Sequence, residues 1–193
     1  MEKIKYFTQK ELKKLFRSIE RQKDYPFVLR DLAMFNIGYL CGLRVSEIGK
    51  LHQEHFNEPG GELFCTRLKN SISNTIRLDD IRKNLLKKYI REHQVRNGDP
   101  LFISRKGNPV SSRQLDRLMK HYAGKAKLPE DKAHWHTLKH SIAAHLAESG
   151  ADVKELQTYL GHKKIDSTMV YFQFTTKQQD AFYNKIAGSP QIV

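Results

Sequence analysis

Between His136 and Tyr171 the chain gathers most of its groups able to move protons or attack phosphorus. His136-Thr137-Leu138-Lys139-His140 opens the stretch, Leu160-Gly161-His162 follows, and Met169-Val170-Tyr171 closes it. Imidazoles exchange protons near neutral pH, an ammonium holds an anion, and a phenol becomes a nucleophile once its proton is drawn away. Two further cations belong with them by chemistry: Arg44, just past the glycine stop at Gly42, and Lys69, at the start of a polar turn. Together they suit attack on a phosphodiester, provided the intervening helices turn the right faces inward.

The charge balance agrees with such a substrate. Lys plus Arg number 34 against 21 Asp plus Glu, a net charge of +13 over 193 residues. An excess of that size makes nucleic acid the first partner to consider. A membrane is the competitor, but no apolar run approaches the roughly 18 residues needed to span one, and no signal-peptide pattern opens the chain. A soluble, intracellular protein is expected. Cys41 and Cys65 lie in apolar contexts without CxxC spacing and read as small buried hydrophobes.

Several elements must position these groups. Thr8-Gln9-Lys10-Glu11 has the capping-box form and launches a helix carrying Leu12, Leu15, Phe16 and Ile19. A second helix is predicted from Phe27 to Cys41, with Val28, Leu32, Phe35 and Leu40 among its inward residues and Gly42 as its stop. Val45 or Ser46 starts a short helix, so Arg44 stands at a helix–helix junction. Leu63-Phe64-Cys65-Thr66 and Thr75-Ile76-Arg77-Leu78 read as strands of a hairpin whose turn carries Lys69. Asp80 is the expected cap of a helix to about His93 with a basic face of Arg82, Lys83, Lys87, Lys88 and Arg91. Leu101-Phe102-Ile103 suggests one more strand. Ser111 with Gln114 repeats the capping box ahead of Leu115, Leu118, Met119 and Tyr122. A helix from Leu138 to Ser149 stops at Gly150, the next starts at Asp152 and closes at Gly161, and Asp166 or Ser167 begins the helix bearing Tyr171. A last helical segment spans 176–186, with Phe182 and Ile186 on one face. The fold class is α+β, mainly helical, with a small antiparallel sheet.

Gly42-Leu43-Arg44-Val45-Ser46-Glu47, Lys69 at a hairpin, His136-Thr137-Leu138-Lys139-His140, Leu160-Gly161-His162 and Tyr171 resemble, in order and spacing, the catalytic domain of the tyrosine recombinases, the phage-integrase family. The likeness covers roughly residues 25–175, leaving 1–24 as an amino-terminal arm and 176–193 as a carboxy-terminal helix and tail. It implies a site-specific recombinase in which Tyr171 attacks the scissile phosphate and leaves a 3′-phosphotyrosyl link. Arg44 and His162 would hold the phosphate, Lys69 would protonate the departing 5′-oxygen, and His136 would transfer protons around the phenol. His140 would play a supporting part. Neither ATP nor a metal is implied, because the covalent intermediate keeps the bond energy. Four protomers on two duplexes of double-stranded DNA would be the working assembly, with 176–186 as the swapped helix.

One departure stands out: the family places arginine where this chain has Lys139. An ammonium supplies charge without the planar two-point grip of guanidinium. Lys139 is then a working variant, a severe brake on cleavage, or a change introduced to trap an uncleaved complex. Few residues precede the match, where the family usually carries a DNA-clamping domain, and weak, salt-sensitive binding is expected from the catalytic part alone. Two other readings remain: an integrase-fold DNA-binding protein without turnover, and a type IB topoisomerase. Blander roles exist for single residues. Tyr171 could be a core aromatic, His136 and His140 could suggest zinc but lack an intervening Glu, and His145 reads as a packed or surface helix residue.

Overall fold

The computed structural model describes residues 4–68 and 71–172. Helix α1 (Gln9–Glu20) starts at Thr8, where the capping box closes through Thr8 Oγ1 and Glu11. Its apolar stripe of Leu12, Leu15 and Ile19 is buried, and Phe7 ahead of it is buried as well. The segment set apart in sequence as an arm therefore packs into the common core, where α1 touches α2 (Val28–Leu40) and α5 (Ser112–Lys125).

The central element is α2, and its burial departs from a one-sided stripe. Val28, Leu32 and Leu40 are only partly buried, whereas Arg30, Asp31, Ala33, Met34, Ile37 and Tyr39 are buried together with Phe35. A helix surrounded by others buries polar residues too, and these must be paired. Arg30 donates from Nε and Nη2 to Asp31 Oδ1 at 2.8 and 2.6 Å, and from Nη1 to the Ile103 carbonyl at 3.0 Å. Tyr122 Oη donates to Asp31 Oδ2 at 2.7 Å, binding α5 to the same carboxylate. Phe35 meets the rings of Tyr122 and Trp135 edge-on.

After the four-residue helix α3 (Val45–Ile48) come the strands β1 (Phe56–Asn57), β2 (Glu62–Cys65) and β3 (Asn74–Arg77), an antiparallel sheet in that order with Leu63 opposite Ile76 and Cys65 opposite Asn74. Two-residue β1 is too short for any alternation to announce it. Helix α4 (Asp80–Glu92) is capped by Asp79 rather than Asp80, because Asp79 has the extended backbone of a cap and its carboxylate accepts the Arg82 amide. Much of its basic face is paired: Arg82 with Asp79, Lys87 with Glu58 and Lys88 with Glu92.

Leu101-Phe102-Ile103 is not a strand. Leu101 and Phe102 are both buried, so the segment lacks the alternation of a one-sided strand, and it is held by the Leu101 amide on the Leu51 carbonyl at 2.7 Å, the Val110 amide on the Phe102 carbonyl at 3.1 Å and an isolated bridge from Ile103 to Pro109. Ser111 caps α5 through the Gln114 amide at 3.3 Å, and Leu115, Leu118, Met119 and Tyr122 are buried as expected. The remaining helices are α6 (His136–Glu148), α7 (Val153–Leu160) and α8 (Asp166–Met169). Helix α8 ends before Tyr171, which lies in the following turn with its amide on the Thr168 carbonyl. Among the described residues no helix is long and apolar enough to cross a membrane.

Candidate active site

Two glycine stops deliver two of the site's side chains. At the end of α2, Gly42 has φ +56°, its amide bonds to the Tyr39 carbonyl, and the Leu43 amide reaches back to Gly38. At the end of α7, Gly161 has φ +68°, its amide bonds to Thr158, and the His162 amide bonds to Gln157. Both are Schellman closures, which turn the chain sharply and satisfy terminal carbonyls. Arg44 emerges two residues after the first stop, and His162 immediately after the second.

Trp135 sets the third segment. Its indole Nε1 donates to the Leu43 carbonyl at 3.1 Å, so the start of α6 is tied to the turn that carries Arg44. Gly38 makes room for the ring, since a Cβ there would fall 2.5 Å from Cζ2. Lys139, one turn into α6, is thereby laid beside Gly42.

Arg44 is aimed by a buried carboxylate. Glu47 accepts the Arg44 backbone amide and its Nη1, both at 2.8 Å, and the Leu68 amide at 3.1 Å. Burial pushes the Glu47 carboxyl upward, but these bonds and the Arg67 charge outweigh it and leave it below the usual range. Arg44 Nη1 also donates to Ser71 Oγ at 3.0 Å. Ser71 in turn bridges to His162, and the Ile72 amide donates to the Gly161 carbonyl at 2.8 Å. Ser71 and Ile72, ahead of β3, are thus seated between the two glycine turns.

Arg67, which the sequence did not single out, joins all three parts. Its side chain is fully buried and donates to the carbonyls of Cys41 at 2.8 Å, Gly42 at 3.1 Å and Tyr159 at 3.2 Å, and to Asn74 Oδ1 at 3.1 Å. It also pairs with Glu47 at 3.6 Å. One signal for it was available: Leu63 and Cys65 point inward along β2, and the same alternation carried two residues on puts Arg67 on the core face.

Around the phenol, His140 Nδ1 and Tyr171 Oη lie 2.8 Å apart, and His136 stands edge-on to His140 with ring centroids 4.6 Å apart. Sequence reasoning gave His136 the proton-transfer role and His140 a supporting one, but the ring in contact with the phenol is His140. Tyr171 is 5% exposed, and burial pushes its pKa up to about 12 despite the nearby Arg44 charge. Burial, with His136 and Lys139 adding positive charge, brings His140 down to about 4. His136, at the exposed rim, is lowered by its packed surroundings and by Lys139 and Arg44. His162 is buried, bonded through Nδ1 to Thr168 Oγ1 at 2.9 Å, and lowered to about 4 by burial and then by Lys139, Arg44 and Arg67.

Lys139 is 2% exposed, and its Nζ has no hydrogen-bond partner. Burial first, then the charges of Arg44 and Arg67, bring its pKa down to about 7, with Glu47 opposing. Arg44, His136, Lys139, His140, His162 and Tyr171 therefore converge on one positively charged cluster, with an open cleft of 460 Å³ beside His136, Thr137 and His140. Lys69 and the segment 176–186 lie outside the described residues. His145 is elsewhere, buried against Tyr39 Oη at 2.9 Å, and both cysteines are buried.

Known proteins share this arrangement of sequence and fold. The phage integrase family profile matches residues 5–178. Tyrosine recombinase XerC of Natranaerobius thermophilus is 31% identical over 171 residues, which cover 84% of this chain and 56% of that protein. The type 1 fimbriae regulatory protein FimE of Escherichia coli K12 is 30% identical over 179 residues, covering 89% of this chain and 86% of FimE. Among solved structures, the XerH site-specific recombinase bound to its difH substrate superimposes with a TM-score of 0.80 at 23% identity, covering 95% of this chain and 53% of XerH. The chain thus spans little more than half the length of XerC, and the XerH likeness concerns the fold. With the matched profile running through every element from α1 to the turn bearing Tyr171, the chain belongs to the phage integrase family.

Proposed function

We propose that this protein is a site-specific DNA recombinase that cleaves and rejoins double-stranded DNA through a 3′-phosphotyrosyl intermediate. The observation that carries this reading is the hydrogen bond between Tyr171 Oη and His140 Nδ1, close enough to Arg44 for its charge to act on the phenol. In the Nε2–H tautomer of His140 the phenol donates that bond, and Nδ1 takes its proton as the oxygen attacks phosphorus. A neutral imidazole is the form such a base needs, and burial holds His140 in it.

Arg44, held through Nη1 by Glu47, presents the rest of its guanidinium to a non-bridging oxygen, where charge grows in the transition state. Lys139 supplies a second cation, His162 offers Nε2 while Thr168 holds Nδ1, and His136 exchanges protons at the rim. Lys69, as the resemblance implies, protonates the departing 5′-oxygen. Four protomers assemble on two duplexes in the cytoplasm, joined through residues 176–186; removing 175–193 should impair assembly more than single-strand cleavage.

Incubation with a nicked duplex carrying the target site tests the chemistry. A DNA adduct that survives SDS, disappears with protease and is absent from Tyr171→Phe is expected. Retention of the adduct in that variant would remove Tyr171 as nucleophile. A protein that binds the same duplex and never forms the adduct would instead be the DNA-binding module without turnover.

A further inference from the structure

An ammonium has three protons to donate, and Lys139 Nζ donates none of them to the protein although it is buried. The groups facing it come from every neighbouring element. Arg44 and Glu47 stand on the α2–α3 side, Arg67 beyond β2, His162 past the α7 stop, and His136 and His140 on its own helix. Glu47, whose charge alone among these neighbours opposes theirs, is already engaged by two arginines and the Leu68 amide. A charged Lys139 would be a buried cation among cations with no bond of its own, an arrangement that strongly favours loss of the proton.

We infer that Lys139 stands in the free protein above neutral pH mainly as a neutral amine and takes up a proton from solvent when a phosphate-like anion enters, so that anion capture is coupled to proton uptake. The inference rests on the proposed phosphodiester site and deepens it. The entering anion provides both the opposite charge and the acceptor that Nζ lacks, which raises the affinity of the amine for its proton. A guanidinium at the same position cannot respond in this way, because it keeps its charge throughout the working range of pH. The lysine at this position therefore couples DNA engagement to pH.

The sign follows from linkage. The free amine's midpoint lies at about 7 and the anion-bound one higher, so affinity falls as pH rises between the two, by up to about tenfold per pH unit. Sulfate is the probe, since it stays a dianion across that range. Lysine side chains labelled with 13C and 15N are followed by NMR from about pH 6 to 10 in the intact chain, with and without sulfate, in wild type and in Lys139→Arg.

One lysine signal titrating near neutrality, shifting upward with sulfate and missing from Lys139→Arg, is the expected result. A wild-type spectrum in which every lysine titrates in the ordinary lysine range would overturn the inference, whether or not the variant folds. So would a shifted signal that ignores sulfate. Because the measurement needs neither DNA nor turnover, a shifted lysine in a protein that forms no covalent adduct would count against the recombinase reading alone. An adduct-forming protein with ordinary lysines would count against the proton coupling alone.

Discussion

Lys139 is the residue at which stability and chemistry oppose each other. In the unfolded chain it is an ordinary lysine, and in the fold its pKa is about 7. Between those two values the denatured state binds more protons, so the cost in stability, full below the folded value, fades as pH rises from about 7 toward the unfolded value. Lys139→Met should stabilise the protein by roughly 1–3 kcal/mol at pH 7, seen as a higher unfolding midpoint, while covalent adduct formation collapses. A lower midpoint would mean that the ammonium is compensated in the fold. His140 makes a complementary case. His140→Phe keeps a ring against Tyr171 and removes Nδ1, so cleavage should fall about 10²-fold or more with DNA binding little changed. An unaltered single-turnover rate would take the proton-acceptor role away from His140.

At the scale of elements, the site depends on two helix stops and the strand extension wedged between them. Arg67 bonds to the last turns of α2 and α7 at once, so Arg67→Met should cost roughly 3–5 kcal/mol in denaturant unfolding, by taking the Arg67 donors from the Cys41 and Gly42 carbonyls and one of its two cations from buried Glu47. Arg67→Lys should restore part of the stability and little of the cleavage, because one ammonium cannot serve Cys41, Gly42, Tyr159 and Asn74 together. Gly161 is equally constrained: its positive φ strains any side chain, and a Cβ would run into the Ile72 carbonyl. Gly161→Ala should cost about 1–3 kcal/mol and disturb His162, which crystallography or the His162 ring resonances would reveal.

Across the whole molecule, burial of imidazoles sets the response to acid. His140 and His162 are neutral in the fold with pKa values of about 4, against 6.5 for an unperturbed ring. Between those values the unfolded chain binds more protons, so stability is lost as pH falls from about 6.5 toward 4. Thermal midpoints recorded over that interval should drop steeply, and less steeply in His162→Gln. The net charge of +13 acts on the partner rather than the fold. Affinity for duplex DNA should fall by orders of magnitude between low and physiological salt, and a salt-independent dissociation constant would contradict a phosphate-dominated interface.

Local signals were enough to read most of the helices, their caps and the glycine stops, because capping boxes, apolar spacing and Gly at the end of a helix act over a handful of residues. The order and spacing of Arg44, Lys69, His136, His162 and Tyr171 also announced the family, since such spacing is written along the chain. Tertiary structure alone decided which imidazole touches the phenol, that α2 buries polar as well as apolar residues, and that Leu101–Ile103 is not a strand. It also decided that Arg67 holds the site together and that Lys139 has no partner. These depend on which distant segments meet in space, and a charge or a hydrogen bond is set by those neighbours rather than by the residues beside it in sequence.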